Sequence, residues 1–146
     1  MKIKTRQELI DYVNHGNRVK YIFFWGHRQS KFGVTKSCFS QWYDSPFKDE
    51  GVTYLSAEHF MMAQKAKLFK DDVAAKKIMS ARHPSEAKKI GREVQGFNQQ
   101  IWQEQRFQIV VNGNLLKFNQ NREIKEFLVS TSDRILVEAS PVDKIW

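Results

Sequence analysis

The sequence offers little for disulfide or metal chemistry. Its 146 residues include one cysteine, Cys38, so no disulfide can form within the chain. A single thiol fits a reducing compartment, and we expect a cytoplasmic protein. No CxxC or HExxH spacing occurs, so no metal site is expected. Because no histidine lies near Cys38 in the sequence, a buried structural thiol is its expected role.

Long apolar segments are also missing. No apolar run approaches the roughly 18 residues that a membrane-spanning helix needs, so no membrane contact is expected. The N-terminal residues MKIKTRQELIDYV lack the apolar core of a signal peptide. No repeat, linker or low-complexity tract interrupts the chain. Residues 1–146 are therefore predicted to form a single domain with a real core.

Aromatic residues and positive charge are abundant. The chain has eleven Phe, four Trp and four Tyr, enough for a compact core and for aromatic walls around a planar ligand. The formal net charge of +8 favours a polyanionic partner such as nucleic acid, a nucleotide or a sugar phosphate. A merely soluble basic protein explains the charge equally well.

Periodicity and capping signals predict a mostly helical α+β fold with a small antiparallel sheet in its first half. Residues 98–118 form either one helix that contains Gly113 or two helices. Helices are predicted over 5–13, 56–69, 71–80, from Ser85, over 98–118 and over 122–130. Strands are predicted over 19–25, 37–43, 52–55 and 134–139.

The segment 51–69 has the strongest pattern. Ser56 is the predicted N-cap of its helix, and Glu58 follows in the first turn, where the helix dipole favours a carboxylate. Glu58 and Lys65 are seven residues apart and therefore lie on one helix face. They are either a catalytic carboxylate and amine at the edge of a cleft or a solvated ion pair. His59 faces the predicted core, where a hydrogen-bonded structural histidine is expected.

Seven motifs in this order resemble the NADAR, or YbiA-like, family from about Tyr21 onward. They are FFWG (23–26), FSQWY with PF (39–43 and 46–47), GVTYLSAEHFMMAQKA (51–66), AKKIGREV (87–94), FNQQIW (97–102), LLKFNQN (115–121) and LVEASPVDKIW (136–146). The resemblance implies a compact, helix-rich α+β domain of the YbiA-like fold. It also implies a metal-independent N-glycosidase that needs no cofactor.

Two substrate classes follow from this resemblance. One is ADP-ribose attached to guanine in nucleic acid, and the other is the phosphorylated ribosylamino-pyrimidine intermediates of riboflavin synthesis. The first would associate the protein with a DNA-modifying ADP-ribosyltransferase system. A non-catalytic module that binds ADP-ribose or NAD is the alternative, and the oligomeric state is left open.

Cleavage of an N-glycosidic bond builds positive charge on the ribose, so a carboxylate and a proton donor are needed. With the resemblance, Glu58 is the first candidate for the carboxylate, and Asp143 for a second acid/base group or a ribose anchor. Glu138 is either a third carboxylate of the site or a buried structural partner. Lys65 is a phosphate or Glu58 partner, or a nucleophile that forms a Schiff base with the opened sugar.

Other matched positions supply candidate binding groups. Arg92 would clamp a phosphate or diphosphate, and Trp25 with Trp146 would sandwich a planar base. Gly26 would let the backbone approach the ligand. Outside the motifs, the polar loop that follows supplies Arg28, which is either a binding cation or part of an ordinary solvated turn. Phe97 and Trp102 are expected in the core.

The chain departs from the family pattern at two places. Ser40 matches a Ser-Asn-Phe/Tyr element of the family, but Gln41 and Trp42 replace its usual Asn-Phe, which puts the polar contact at position 41 in question. Family members usually continue beyond the position of Trp146 into a Gly-Ile-Gly turn, whereas this sequence ends there. The sequence is therefore either a truncated form or one whose active site is closed differently, and Asp143 and Trp146 are expected on a frayed terminus.

Overall fold

The fold combines helices with two small pairs of strands. A computed structural model describes residues 2–140 of the chain. Its helices are α1 (Arg6–Asn14), α2 (Ala57–Leu68), α3 (Asp72–Ser80), α4 (Pro84–Arg92), α5 (Gln99–Gln120) and α6 (Arg122–Ser130). Its strands are β1 (Tyr21–Phe24), β2 (Phe47–Asp49), β3 (Val52–Tyr54) and β4 (Ile135–Glu138), with one 3₁₀-helix at Lys36–Phe39. None of these helices is long and apolar enough to cross a membrane.

Side-chain caps set the starts of most helices. The hydroxyls of Thr5 and Ser56 accept the backbone N–H of Glu8 and His59, so both predicted N-caps are confirmed. Helix α4 starts one residue earlier than predicted, at Pro84. A proline suits that first position because its missing N–H would have no partner inside the helix.

Helix α2 lies at the centre of the larger apolar cluster and packs against α3, α4 and α5. Two glycines allow these close approaches. A Cβ at Gly113 would come within 2.8 Å of the Phe60 ring, and one at Gly91 would meet the Met62 side chain. Helix α5 runs unbroken through Gly113, so the one-helix alternative for this segment is the correct one. The glycine serves helix packing rather than a break.

The predicted small antiparallel sheet in the first half is present as the hairpin of β2 and β3, but β1 lies outside it. Strand β1 pairs in parallel with β4, from Tyr21 beside Ile135 to Phe24 beside Glu138. Strand β2 occupies residues 47–49, where the sequence pattern predicted no strand. Period-two alternation does not reveal which strand will be the neighbour, because that depends on contacts more than a hundred residues apart.

The predicted strand over 37–43 was also wrong. Its first part is the 3₁₀-helix, which begins where the Thr35 hydroxyl accepts the N–H of Ser37. Cys38 lies fully buried in a second apolar cluster with Phe39 and Ile124, as expected for a structural thiol. Burial raises the pKa of the Cys38 thiol to about 11, so this thiol stays protonated and unreactive near neutral pH.

Candidate active site

Glu58 is the second residue of α2, and its position is fixed by a neighbouring turn. Its backbone N–H, which has no partner inside the helix, donates to the carbonyl oxygen of Gln41 at 3.0 Å. Glu58 is only 4% exposed, so the interpretation as a solvated surface ion pair was wrong. A carboxylate this deeply buried is costly, and such groups occur where they have a specific task or partner.

Lys65 lies two turns further along α2, against aromatic rings. Its Nζ is 4.7 Å from the ring centre of Phe97 and 5.4 Å from that of Trp102. Burial lowers the pKa of Lys65, the Glu58 carboxylate raises it, and the Arg92 guanidinium lowers it further. Glu58 and Arg92, both proposed from the sequence, therefore act electrostatically on Lys65. Phe97 is 46% exposed, so the expectation that it lies in the core was wrong.

The turn that holds Glu58 is itself held by α5. The side-chain amides of Gln41 and Asn114 exchange two hydrogen bonds, of 3.0 and 3.1 Å. One turn along α5, the fully buried Lys117 donates through Nζ to the carbonyl oxygens of Cys38 at 2.7 Å and Ser40 at 2.9 Å. Lys117 thus holds the backbone just before Gln41, and Asn114 holds the Gln41 side chain.

Trp42 follows Gln41 and lies among polar groups. Its backbone N–H donates to the Ser40 hydroxyl at 3.2 Å, and its side chain is partly buried. The His27 ring lies 5.6 Å from the Trp42 ring, and the Lys88 Nζ lies 5.8 Å from the ring centre. Lys88 is one turn before Arg92 on α4, so the rim of this region is cationic.

Other predicted site residues lie on β4 and on the loop after β1. Trp25 is 67% exposed after β1, and Gly26 has φ of +87°, a conformation that favours glycine. Arg28 is exposed beside His27, whose contact with Trp42 brings this loop to the site. Glu138 lies on β4, partly buried beside Phe24. Asp143 and Trp146 lie outside the described residues.

The sequence did not indicate four residues of this region: the aromatic Trp42, the cation Lys88, the amide Asn114 and the buried amine Lys117. Of these, Lys117 had a local signal, because it interrupts the apolar run Leu115–Phe118. The other three are ordinary helix or turn residues whose importance arises only from contacts distant in sequence.

His59 is the hydrogen-bonded structural histidine that was expected. Its Nε2–H donates to the Ala81 carbonyl at 3.0 Å, which leaves Nδ1 to accept from the Ser56 hydroxyl at 2.7 Å. Burial lowers the pKa of His59, so the ring is neutral near pH 7. With both nitrogens engaged, His59 supports the start of α2 rather than reacting.

A surface depression of about 470 Å³ lies elsewhere, between the loop after β1 and the junction of α5 with α6. Gln29, Asp44, Asn121 and Arg122 line it, and none of the three interacting residues Glu58, Lys65 and Arg92 does. Within residues 2–140, no group of three or more His, Cys, Asp and Glu side chains could hold a metal ion.

Comparisons with known proteins identify the family of this chain. The NADAR domain matches residues 23–146. N-glycosidase R617 of Acanthamoeba polyphaga mimivirus is 45% identical over 132 residues, which cover 87% of this chain and 76% of that protein. N-glycosidase Npun_R5314 of Nostoc punctiforme is 32% identical over 109 residues, which cover 75% and 70%.

A solved structure gives the same fold. The NMR structure of the E. coli protein YbiA superposes with a TM-score of 0.74 at 25% sequence identity, covering 89% of this chain and 73% of that one. The helix-rich α+β fold class is thereby confirmed. The chain belongs to the NADAR family. The names of its relatives support an activity on N-glycosidic bonds.

Proposed function

We propose that this protein is an N-glycosidase that hydrolyses the bond between a phosphorylated ribose or ADP-ribose and a base. The observation that carries the proposal is the buried carboxylate of Glu58 on the same helix as Lys65, a cation on which both Glu58 and Arg92 act electrostatically. A carboxylate suits the cationic sugar of the transition state, and the cations suit the substrate phosphate.

In the hydrolytic route, Glu58 takes a proton from water as the water oxygen bonds to the anomeric carbon. The carbon–nitrogen bond breaks, and its electron pair leaves with the base, which is protonated at that nitrogen. Asp143 is the proposed second acid/base group, carried over from the family resemblance. Burial of Glu58 supports this route because a carboxylate in a dry site interacts strongly with a developing cation.

A second route uses Lys65 as the nucleophile. Burial and the nearby Arg92 both lower the pKa of this lysine, and these are the conditions that make an amine reactive. The amine would bond to the anomeric carbon as the base leaves, and opening of the sugar would form a Schiff base that water then cleaves. Borohydride, which reduces a Schiff base to a stable amine, distinguishes the two routes.

The test is release of base from two substrates, ADP-ribosylated guanine in DNA and the ribosylamino-pyrimidine phosphate of riboflavin synthesis. We expect turnover of at least one, and a loss of about a hundredfold or more in Glu58→Gln. Glu104→Gln, on the exposed side of α5, is the matched control and should keep full activity.

Each outcome has one meaning. Full activity in Glu58→Gln would refute the role of this carboxylate. No turnover of either substrate, together with binding of ADP-ribose, would instead identify the protein as a non-catalytic ADP-ribose module. A covalent adduct after borohydride in the unmutated protein, absent in Lys65→Met, would assign the Schiff-base route.

A further inference from the structure

Trp42 is a planar side chain on the turn that contacts the start of α2, where the candidate catalytic Glu58 lies. The preceding residue, Gln41, accepts the backbone N–H of Glu58 through its carbonyl oxygen at 3.0 Å, so the turn that carries Trp42 is linked to the start of α2. Lys117 and Asn114 of α5 hold the same turn through hydrogen bonds to the Ser40 carbonyl oxygen and to the Gln41 side chain. The ring of Trp42 therefore lies on a backbone that is fixed before any ligand arrives, which lowers the entropic cost of binding.

The surroundings of Trp42 combine an aromatic face with hydrogen-bond donors. The His27 ring lies 5.6 Å away at 59° to the Trp42 ring, and the ammonium group of Lys88 lies 5.8 Å from the ring centre. The loop that carries His27 is tied to the turn, since the Gln29 side chain donates to the Asp44 carbonyl at 3.2 Å. Such a combination suits a planar ring that carries carbonyl or ring-nitrogen acceptors.

The order of groups along the site matches the order of parts in a nucleotide. Trp42, with Lys88 near its ring, follows the residue that binds the Glu58 backbone. Arg92, one turn beyond Lys88 on α4, acts on Lys65, two turns along α2. A ribose with its anomeric carbon near Glu58 would direct its base towards Trp42. Its phosphate would lie towards Lys65 and Arg92.

We propose that Trp42, flanked by His27 and Lys88, forms the subsite that binds the base of the substrate and of the released product. This inference rests on the proposed N-glycosidase function. Stacking on Trp42 holds the base, and the Lys88 ammonium group stabilises the electron pair that the base nitrogen retains when the bond breaks. The ligand class is a planar, carbonyl-bearing nitrogen heterocycle on a phosphorylated ribose.

The test separates base binding from phosphate binding with two probes. GMP carries a base, and ribose 5-phosphate does not. For Trp42→Leu we expect GMP affinity to fall about 5- to 100-fold, the range that loss of one stacked base produces, with ribose 5-phosphate affinity nearly unchanged. Trp42→Phe should keep most of the GMP affinity, and Lys88→Met should lose about fivefold or more.

Two further variants provide a matched control and a test of the alternative base site at Trp25. Phe107→Leu removes an exposed aromatic from the outer face of α5 and should leave both affinities unchanged. Trp25→Leu tests the base sandwich that the sequence suggests. A larger loss of GMP affinity at Trp25 than at Trp42 would overturn the proposal, as would equal losses for both probes in Trp42→Leu and Trp42→Phe.

This binding test remains decisive whether or not the protein is an enzyme. If no substrate is cleaved but Trp42→Leu selectively loses GMP, the subsite stands and the proposed activity falls. If a substrate is cleaved and its KM and kcat are unchanged in Trp42→Leu, the activity stands and the subsite falls. Absence of GMP binding to the unmutated protein would also refute the subsite.

Discussion

The carbonyl oxygen of Gln41 accepts the backbone N–H of Glu58 at 3.0 Å, which joins the turn after the 3₁₀-helix to the start of α2. The same Gln41 exchanges side-chain hydrogen bonds with Asn114 on α5. Asn114 in the middle of α5 is therefore connected through Gln41 to the backbone of Glu58, although the two residues are distant in sequence.

Asn114→Ala should reduce catalysis more than substrate binding. It leaves the part-buried Gln41 amide without its partner, which costs about 1–3 kcal/mol of unfolding free energy and loosens the turn. We expect kcat to fall about tenfold or more, since small displacements of reacting groups are costly, with KM changed less. Steady-state kinetics and urea unfolding measure both effects. Asn112→Ala, exposed on the same helix, is the control, and equal kcat values in the two variants would contradict the prediction.

The pKa of Lys65 should respond in opposite directions to its two charged neighbours. Arg92→Met removes a cation that lowers this pKa, so the pKa should rise. Glu58→Gln removes an anion that raises it, so the pKa should fall. Carbon-13 NMR titration of the lysine side chains measures both, with Arg82→Met as an exposed control that should change nothing. A Lys65 pKa unaffected by either substitution would separate Lys65 from the proposed cluster.

Lys117 should make the fold more stable as pH rises above 8. Burial lowers its pKa from 10.5 to about 8, so between these values the unfolded chain binds a proton that the folded chain does not. Unfolding free energy should therefore rise with pH across this window, by about 3 kcal/mol in total from this group. The difference between the unmutated protein and Lys117→Met, measured by urea unfolding from pH 7.5 to 10.5, isolates this contribution.

Cys38 should oppose that gain at higher pH. Burial raises its pKa from 9.0 to about 11, so the unfolded chain loses the thiol proton first and stability falls between these values. The unmutated protein should gain stability from pH 8 to 9 and level off above it. In Cys38→Ala the rise should continue to about pH 10.5. A curve that levels off equally in both proteins would show that Cys38 has no part in it.

Gly113→Ala should destabilise the protein even though alanine is the better helix former. Helix propensity alone predicts a gain of about 1 kcal/mol, but the new Cβ would lie 2.8 Å from the buried Phe60 ring. Overpacking of this kind costs about 1–3 kcal/mol, so we expect a lower melting temperature. Gln105→Ala, at an exposed position of α5, should be neutral or slightly stabilising. An increase in melting temperature for Gly113→Ala would show that Phe60 moves aside freely.

Local features of the sequence determined most of the helices and the family. Ser56 could be assigned as an N-cap because its hydroxyl serves an amide three residues away, and the position of Glu58 follows from it. The ordered motifs were sufficient to indicate the NADAR family, since short segments keep their residue types wherever they pack.

Only the tertiary structure decided which distant segments meet. Strand β1 pairs in parallel with β4, and Lys117 donates hydrogen bonds to the carbonyl oxygens of Cys38 and Ser40. Both contacts join residues roughly eighty or more positions apart. No periodicity encodes such contacts, because they depend on how whole helices pack around α2. In the sequence, Gln41 and Trp42 are only a departure from a family motif. In the structure they form the turn that accepts the backbone N–H of Glu58.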